Sequence, residues 1–196
     1  MTSAFSRGGL LLAGLLFGTQ LQAAATDDYL GGLKALEGGD REQGLYLLEQ
    51  AAIAGQVDAQ FRLGELLDGQ HGERWLRAAV RQGSRPAAVS LAQRYYDNAR
   101  YRRAAQCWLH AAQQGSSEAQ ARLGALQVVG YGLPKDQVQA YAWLNLAASE
   151  GDAEVVGLRD KLAEQLTAVQ RDAGEALSRD LTQHPPVLPG EPPCGE

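Results

Sequence analysis

Four glycines, Gly55, Gly83, Gly115 and Gly151, each close a run in which apolar and small residues return at the same distances. Seven positions before them stand Leu48, Leu76, Trp108 and Leu144, and eight before them Leu47, Trp75, Cys107 and Trp143. Eleven before, only small residues occur: Gly44, Gly72, Ala104 and Ala140. The pattern continues past each glycine. Ala59, Ala87 and Ala119 follow at four positions, Leu63, Leu91 and Leu123 at eight, and Gly64, Ala92 and Gly124 at nine. The fourth copy drifts there, with Val155, Arg159 and Asp160 in the matching places. A recurrence on this scale marks an array of supersecondary units.

Within each unit the spacing predicts a helix, a glycine-containing turn and a second helix. Small residues at fixed places let two helix backbones approach, and larger ones fill the space between. The fourth unit carries the clearest punctuation, in GYGLPKDQVQAYAWLNLAASEGD from Gly130 to Asp152. Asp136 is placed to cap a helix, Gln139 three residues on completes a capping-box pattern, and Gly151 supplies a left-handed stop. Val138, Tyr141, Trp143, Leu144, Leu146 and Ala147 surround that helix on nearly all sides, so neighbours must cover both its flanks.

The ends predict caps for the array. Asp27 to Gly38 reads as a short helix with Tyr29, Leu33 and Leu36 on one face, within an N-terminal capping segment 26–38. Residues 167–182 read as an amphipathic C-terminal capping helix with Val169, Ala173, Ala176, Leu177 and Leu181 on its apolar side. From Gln183 the chain turns to HPPVLPGEPPCGE, which holds five of the seven prolines, and a disordered tail is expected over 183–196.

Taken together, Gly130-Tyr-Gly-Leu-Pro-Lys-Asp136, Ala140-x-x-Trp143-Leu144 and Ala147-Ala148-x-x-Gly151 resemble the Sel1-like repeat, a relative of the tetratricopeptide repeat. The likeness extends over 39–166 in four copies, two of them shortened. The anchoring glycines stand 28, 32 and 36 residues apart, so the last interval alone holds the full GxGxPxD loop. In the others, DGQHGERW and YDNARYRRA join the helices more tightly. The resemblance implies an all-α, right-handed α-solenoid of helix-turn-helix repeats with short capping helices. It also implies a concave face that takes a peptide or protein partner, as in relatives that assemble secretion, exopolysaccharide or signalling complexes.

The first 25 residues set the expected compartment. Arg7 is followed by an apolar run from Gly8 to Phe17, a polar shoulder Gly18-Thr19-Gln20, and Leu21-Gln22-Ala23-Ala24-Ala25 with small residues at the cleavage positions. That is the layout of a secretory signal peptide cut near Ala23–Ala25, and a periplasmic or secreted protein is expected. The run is shorter than the roughly 20 residues a helix needs to cross a bilayer. Cleavage after Ala25 removes Arg7 and no acid, taking the formal charge from −5 to −6. An acidic, exported chain is a poor match for nucleic acid or anionic lipid. The Arg- and Tyr-rich stretch from Arg94 to Ala105 is accordingly a solvated helix end whose Arg stems cover apolar surface.

Candidate chemistry is sparse. His71, His110 and His184 are scattered, and Cys107 with His110 offers two metal ligands where a closed zinc site needs four. Cys107 instead occupies the buried place that Trp75 and Trp143 hold in sister repeats. No Ser or Cys stands beside His and an acid in a recognisable nucleophile setting. Glu150, Asp152 and Glu154 suit the positive end of the following helix dipole. No catalytic, cofactor-binding or metal-binding residue is expected, and the chain is not read as an enzyme. Some secreted relatives with a Cys pair in every repeat are associated with β-lactam binding or hydrolysis. Here there are two Cys in all, Cys107 and Cys194. A bond between them and a free or intermolecular Cys194 are both open.

Tyr95, Tyr96 and Tyr101, beside a shortened loop, are expected to be partly exposed, and with Arg102 they form the candidate partner-binding set. The function expected is that of an exported repeat scaffold for protein–protein interaction in the bacterial cell envelope. The alternatives are a binder of cell wall or polysaccharide and, behind that, a β-lactam or cell-wall-acting enzyme. Far-UV circular dichroism should show a predominantly helical protein; substantial strand content would overturn the repeat assignment.

Overall fold

The structure, a computed structural model, describes residues 7–184, 186, 188, 190 and 193–196, without the side chains of 7–19, 21 and 182. The start of the expected leader and Pro185, Val187, Pro189, Glu191 and Pro192 of the tail lie outside the described residues, as do the side chains of the leader's apolar run. Among the described residues there are ten α-helices and no strand. They are α1 (Arg7–Glu37), α2 (Arg41–Ile53), α3 (Val57–Leu66), α4 (Gly69–Arg81), α5 (Arg85–Asp97), α6 (Tyr101–Gln113), α7 (Ser117–Val129), α8 (Gln137–Ala147), α9 (Ala153–Ala163) and α10 (Ala168–Gln183). None is long and apolar enough to cross a membrane. The chain divides into two compact units, Met1–Ala79 and Val80–Glu196.

In the first unit α1 packs on α2 and α2 on α3. Leu48, Ala51, Ala52, Ala59 and Leu63 are fully buried, with Tyr29, Leu33, Leu36 and Trp75 packed around them. Glycines set the helix separation. A Cβ on Gly32 would lie 2.9 Å from Leu48 Cγ and 3.1 Å from the Gly44 carbonyl oxygen, and one on Gly64 would lie 2.5 Å from Leu76 Cγ. α1 is longer than the capping segment expected from the sequence, and its second half packs as the first helix of a hairpin.

In the second unit α5 pairs with α6 and α7 with α8, while α6 meets α7, and α8 also meets α9 and α10. α8 buries Ala140, Tyr141, Ala142, Trp143, Leu144 and Ala147, as its all-round apolar pattern predicts. Gly124 repeats the close approach, since a Cβ there would lie 2.8 Å from Leu144 Cγ and 3.0 Å from the Ala140 carbonyl oxygen.

The turns between hairpins share one construction. Gly55, Gly83, Gly115 and Gly151 adopt φ between 79° and 92°, a left-handed conformation that costs glycine nothing sterically. The next residue caps the following helix: Gln56 accepts from the Ala59 N–H, Ser84 from Ala87, Ser116 from Ala119, and Asp152 from Glu154 and Val155. Such a cap contributes about 1 kcal/mol. Two turns carry a further tie. The buried Gln60 Nε2 donates to the Ala52 carbonyl at 3.0 Å, and Gln120 Nε2 to the Ala112 carbonyl at 3.3 Å. Each side chain satisfies a carbonyl in the last turn of the preceding helix.

Two local expectations are corrected. Asp136 does cap α8, accepting from Val138 and Gln139, but Gln139 does not close a capping box. The Asp136 N–H donates to the Gln127 carbonyl across the loop, and Gln139 Oε1 accepts from Gln127 Nε2 at 2.7 Å. A complete box is found at Thr167 and Gln170, opening α10. α10 keeps only part of its predicted apolar face: Leu181 is buried and Leu177 half-buried, but Val169 is 77% exposed, Ala173 and Ala176 are exposed too, and Gly174 and Ser178 take buried places. The cause lies on α8. Tyr141 occupies the space a Cβ at Gly174 would need, 2.6 Å from its Cδ1, and Asn145 Nδ2 donates to Ser178 Oγ at 3.2 Å. A small and a polar residue therefore face the partner helix.

Gly124→Leu should lower stability by about 1–3 kcal/mol through overpacking; an unchanged melting curve would mean that Leu144 and Ala140 do not crowd this position. Gly157→Ala on α9 should do the opposite. Nothing lies within 4 Å of a Cβ built there and its φ is not positive, so the methyl should add about 0.5–1 kcal/mol. A lower melting temperature for that variant would contradict the open space.

Candidate partner-binding surface

The α5–α6 turn, Asn98-Ala99-Arg100, is short and strained. Ala99 sits at φ 56°, which among the described residues no other non-glycine shares. Such a conformation costs an L-residue about 1 kcal/mol. Around it lie the four residues the sequence singled out, and the structure separates them. Tyr95 is 4% exposed, so its expected exposure is corrected. The guanidinium carbons of Arg100 and Arg103 stand 5.7 and 5.9 Å from its ring centroid, and residues 193–196 close over the groove it lines. Tyr96 and Tyr101 are half-buried, as expected, and Arg102 is exposed.

The tyrosines belong to a row that runs from core to solvent. The Tyr96 ring lies 5.6 Å from the buried Trp108 and 5.3 Å from Tyr101, edge to face. Tyr101 in turn stacks on Tyr131 at 4.8 Å, with 21° between planes. Tyr131 is 47% exposed and is the member that sequence reasoning missed. It was visible as the second residue of the GYG loop, but nothing local says which helix that loop touches. Gly132 decides it. At φ 69°, its missing Cβ would stand 2.5 Å from the Tyr101 carbonyl carbon and 2.6 Å from the Arg102 nitrogen, so the loop backbone rests on the first turn of α6.

The cysteines are joined. Cys107 and Cys194, 87 residues apart in sequence, form a disulfide with their Cα atoms 4.8 Å apart. Cys107 is buried, as its place in the repeat predicts. Nearby, Arg81 Nη1 donates to the Gly195 carbonyl at 2.8 Å. Further along the tail, a Cβ on Gly190 would be 3.4 Å from Arg102 Nη2.

Among the described residues no group of three or more His, Cys, Asp or Glu is arranged to hold a metal ion. Burial lowers the His110 pKa, and its Nε2 lies 2.9 Å from Gln114 Nε2. Asp152 caps α9, and Glu150 accepts from Ser117 Oγ at 2.6 Å.

A family model described as Sel1 repeat matches residues 22–56, 57–84 and 117–152. Each match opens on the first helix of a hairpin, α1, α3 or α7, and the stretch between the second and third contains α5 and α6. Among solved structures, the chain is similar to a protective antigen present in uropathogenic Escherichia coli strains that displays an SLR fold. The identity is 27%, the TM-score 0.68, and the likeness covers 81% of this chain and 38% of that one. A Sel1 repeat protein from Oxalobacter formigenes is similar in fold, at 21% identity and TM-score 0.60 over 80% of this chain and 73% of that one. The chain thus spans well under half the length of the antigen. No curated protein matches it. The matched stretches make up just over half of the 196 residues and fall on hairpins of the kind described above, so the chain belongs to the Sel1 repeat family.

Proposed function

We propose that the protein is an exported Sel1-repeat scaffold of the bacterial cell envelope that binds a protein partner across Tyr96, Tyr101, Arg102 and Tyr131. Sel1 repeats generally mediate protein–protein interaction and are generally non-catalytic scaffolds. The observation that carries the surface is the aromatic row, anchored at Trp108 and open at Tyr131, with the exposed Arg102 beside it. Aromatic and Arg side chains on a preorganised base are the residues that dominate interface energies. A polysaccharide would need open ring faces, and here Tyr101 and Tyr131 turn faces toward each other. That favours a protein over a glycan.

Export is supported by the leader layout of the first 25 residues. Cleavage at Ala25 falls within α1 and still leaves Tyr29, Leu33 and Leu36, the side chains that pack on the first core.

The test is a cross-linked pull-down from a solubilised envelope fraction with the chain from Thr26. One reproducible protein partner should be retained, and Tyr131→Ala with Arg102→Ala should reduce it by about tenfold or more, the loss of a hot-spot pair. Equal retention by that variant would displace the surface. Capture of wall or capsule polysaccharide in place of protein would replace the scaffold reading with the glycan one.

A further inference from the structure

Residues 193–196 do more than lie near α6. Pro193 to Glu196 form a turn closed by the Glu196 N–H donating to the Pro193 carbonyl at 3.1 Å, with Gly195 at φ 102°. This turn fills a groove lined by Tyr95, Arg103, Gln106 and Cys107, leaving ≈ 10 Å³, room for about one water. Gly195 is buried there, and its carbonyl takes the Arg81 hydrogen bond. We propose that this groove is a docking site for a glycine-bearing peptide turn of a partner, occupied in cis by residues 193–196 and opened by reduction of the Cys107–Cys194 bond. The proposal rests on the scaffold reading above and names the kind of segment the scaffold takes.

Three features make the groove a recognition site for backbone. Arg81 holds a main-chain carbonyl, a group any peptide carries, so the contact selects shape before sequence. The left-handed φ at Gly195 selects glycine at the third place of the turn. Gln106 supplies an unused contact: its buried Oε1 has no hydrogen-bond partner among the described residues. The tail brings Pro193 to this groove, which has no N–H to donate.

Opening follows from exposure. Cys107 is 1% exposed and Cys194 half-exposed, so an incoming thiolate reaches the Cys194 sulfur. A dithiol reductant supplies it. Its first thiolate bonds to Cys194 Sγ, the Cys107–Cys194 bond breaks, and Cys107 leaves as a thiolate that takes up a proton. The reductant's second thiolate then attacks its own mixed-disulfide sulfur, releasing Cys194; two electrons pass to the protein and the reductant departs as a disulfide.

Disulfide trapping on the full chain tests this. Cys194→Ser leaves the Cys107 thiol, and the chain is offered the peptide EPPCGE or a scrambled peptide of the same composition in a glutathione buffer. The native-order peptide should be trapped about tenfold more than the scrambled one, equivalent to roughly 1.4 kcal/mol. Arg81→Ala should remove most of that preference with an unchanged circular dichroism spectrum. Equal trapping of both peptides, or a preference indifferent to Arg81→Ala, overturns the proposal. If Cys194→Ser does not fold, the wild-type chain equilibrated in the same buffer gives the same comparison, with the amount of peptide–Cys107 mixed disulfide as the readout. No envelope partner is needed, so failure here and failure of the pull-down are distinguishable.

Discussion

Three of the hairpins, α1–α2, α3–α4 and α7–α8, depend on a place where two helices come too close for a side chain, and α5–α6 carries the small Ala92 there. Carbon atoms at ease stand about 3.5–4.0 Å apart. A Cβ at Gly64 would be 2.5 Å from Leu76 Cγ, and at Gly124 2.8 Å from Leu144 Cγ. The missing methyl is what lets the opposing leucine lie wholly inside the pair, and Leu48, Leu76 and Leu144 are all buried. Successive hairpins then follow one another through compact turns, with left-handed glycines and side-chain caps at the same offsets. The buried Gln60 and Gln120 then satisfy carbonyls that the tight turn leaves without helical partners.

This explains why so much of the hairpin was legible in sequence. A residue that must be small, and a partner that must be large, recur at fixed distances along one chain, and both are contacts between near neighbours. The C-terminal cap marks the limit. The pattern put the apolar residues of α10 on its packed face, but α8 presents Tyr141 and Asn145 there, and a glycine and a serine answer them better. Shape and hydrogen bonding of a particular neighbour outweighed hydrophobicity. The capping box at Asp136 failed for a related reason, because Gln127 from the preceding helix claims the Gln139 side chain.

The candidate surface was half legible. Tyr96, Tyr101 and Arg102 stand out because aromatic and Arg residues crowd a short turn. Tyr95 looks the same in sequence, yet it is covered by a segment nearly a hundred positions away, held by a disulfide whose pairing the spacing left open. The covalent bond holds residues 193–196 over Tyr95 without exchange. While the bond stands, the groove under 193–196 and the aromatic row ending at Tyr131 differ in kind: one is filled, the other open.

Why the open surface lies here and not on another hairpin comes down to loop length. The repeat intervals lengthen from 28 to 32 to 36 residues; the first step falls mainly in the helix, α3 having 10 residues and α5 13, and the second in the loop between α7 and α8. Compact turns such as Gly39-Asp40 reach no further than their own hairpin. The loop from Gly130 to Asp136 is long enough to reach the neighbouring hairpin, and Gly132 lets its backbone settle on Tyr101 and Arg102. Contact at that point carries Tyr131 onto Tyr101 and turns isolated side chains into a continuous row. The neighbour must have a short turn for this to work, since a second long loop would occupy the same ground. The strained Ala99 is the counterpart of that requirement: it keeps the α5–α6 connection tight enough for the next loop to lie against α6. A repeat family whose core tolerates loops of different lengths can thus assemble an exposed aromatic row without altering any residue of the core.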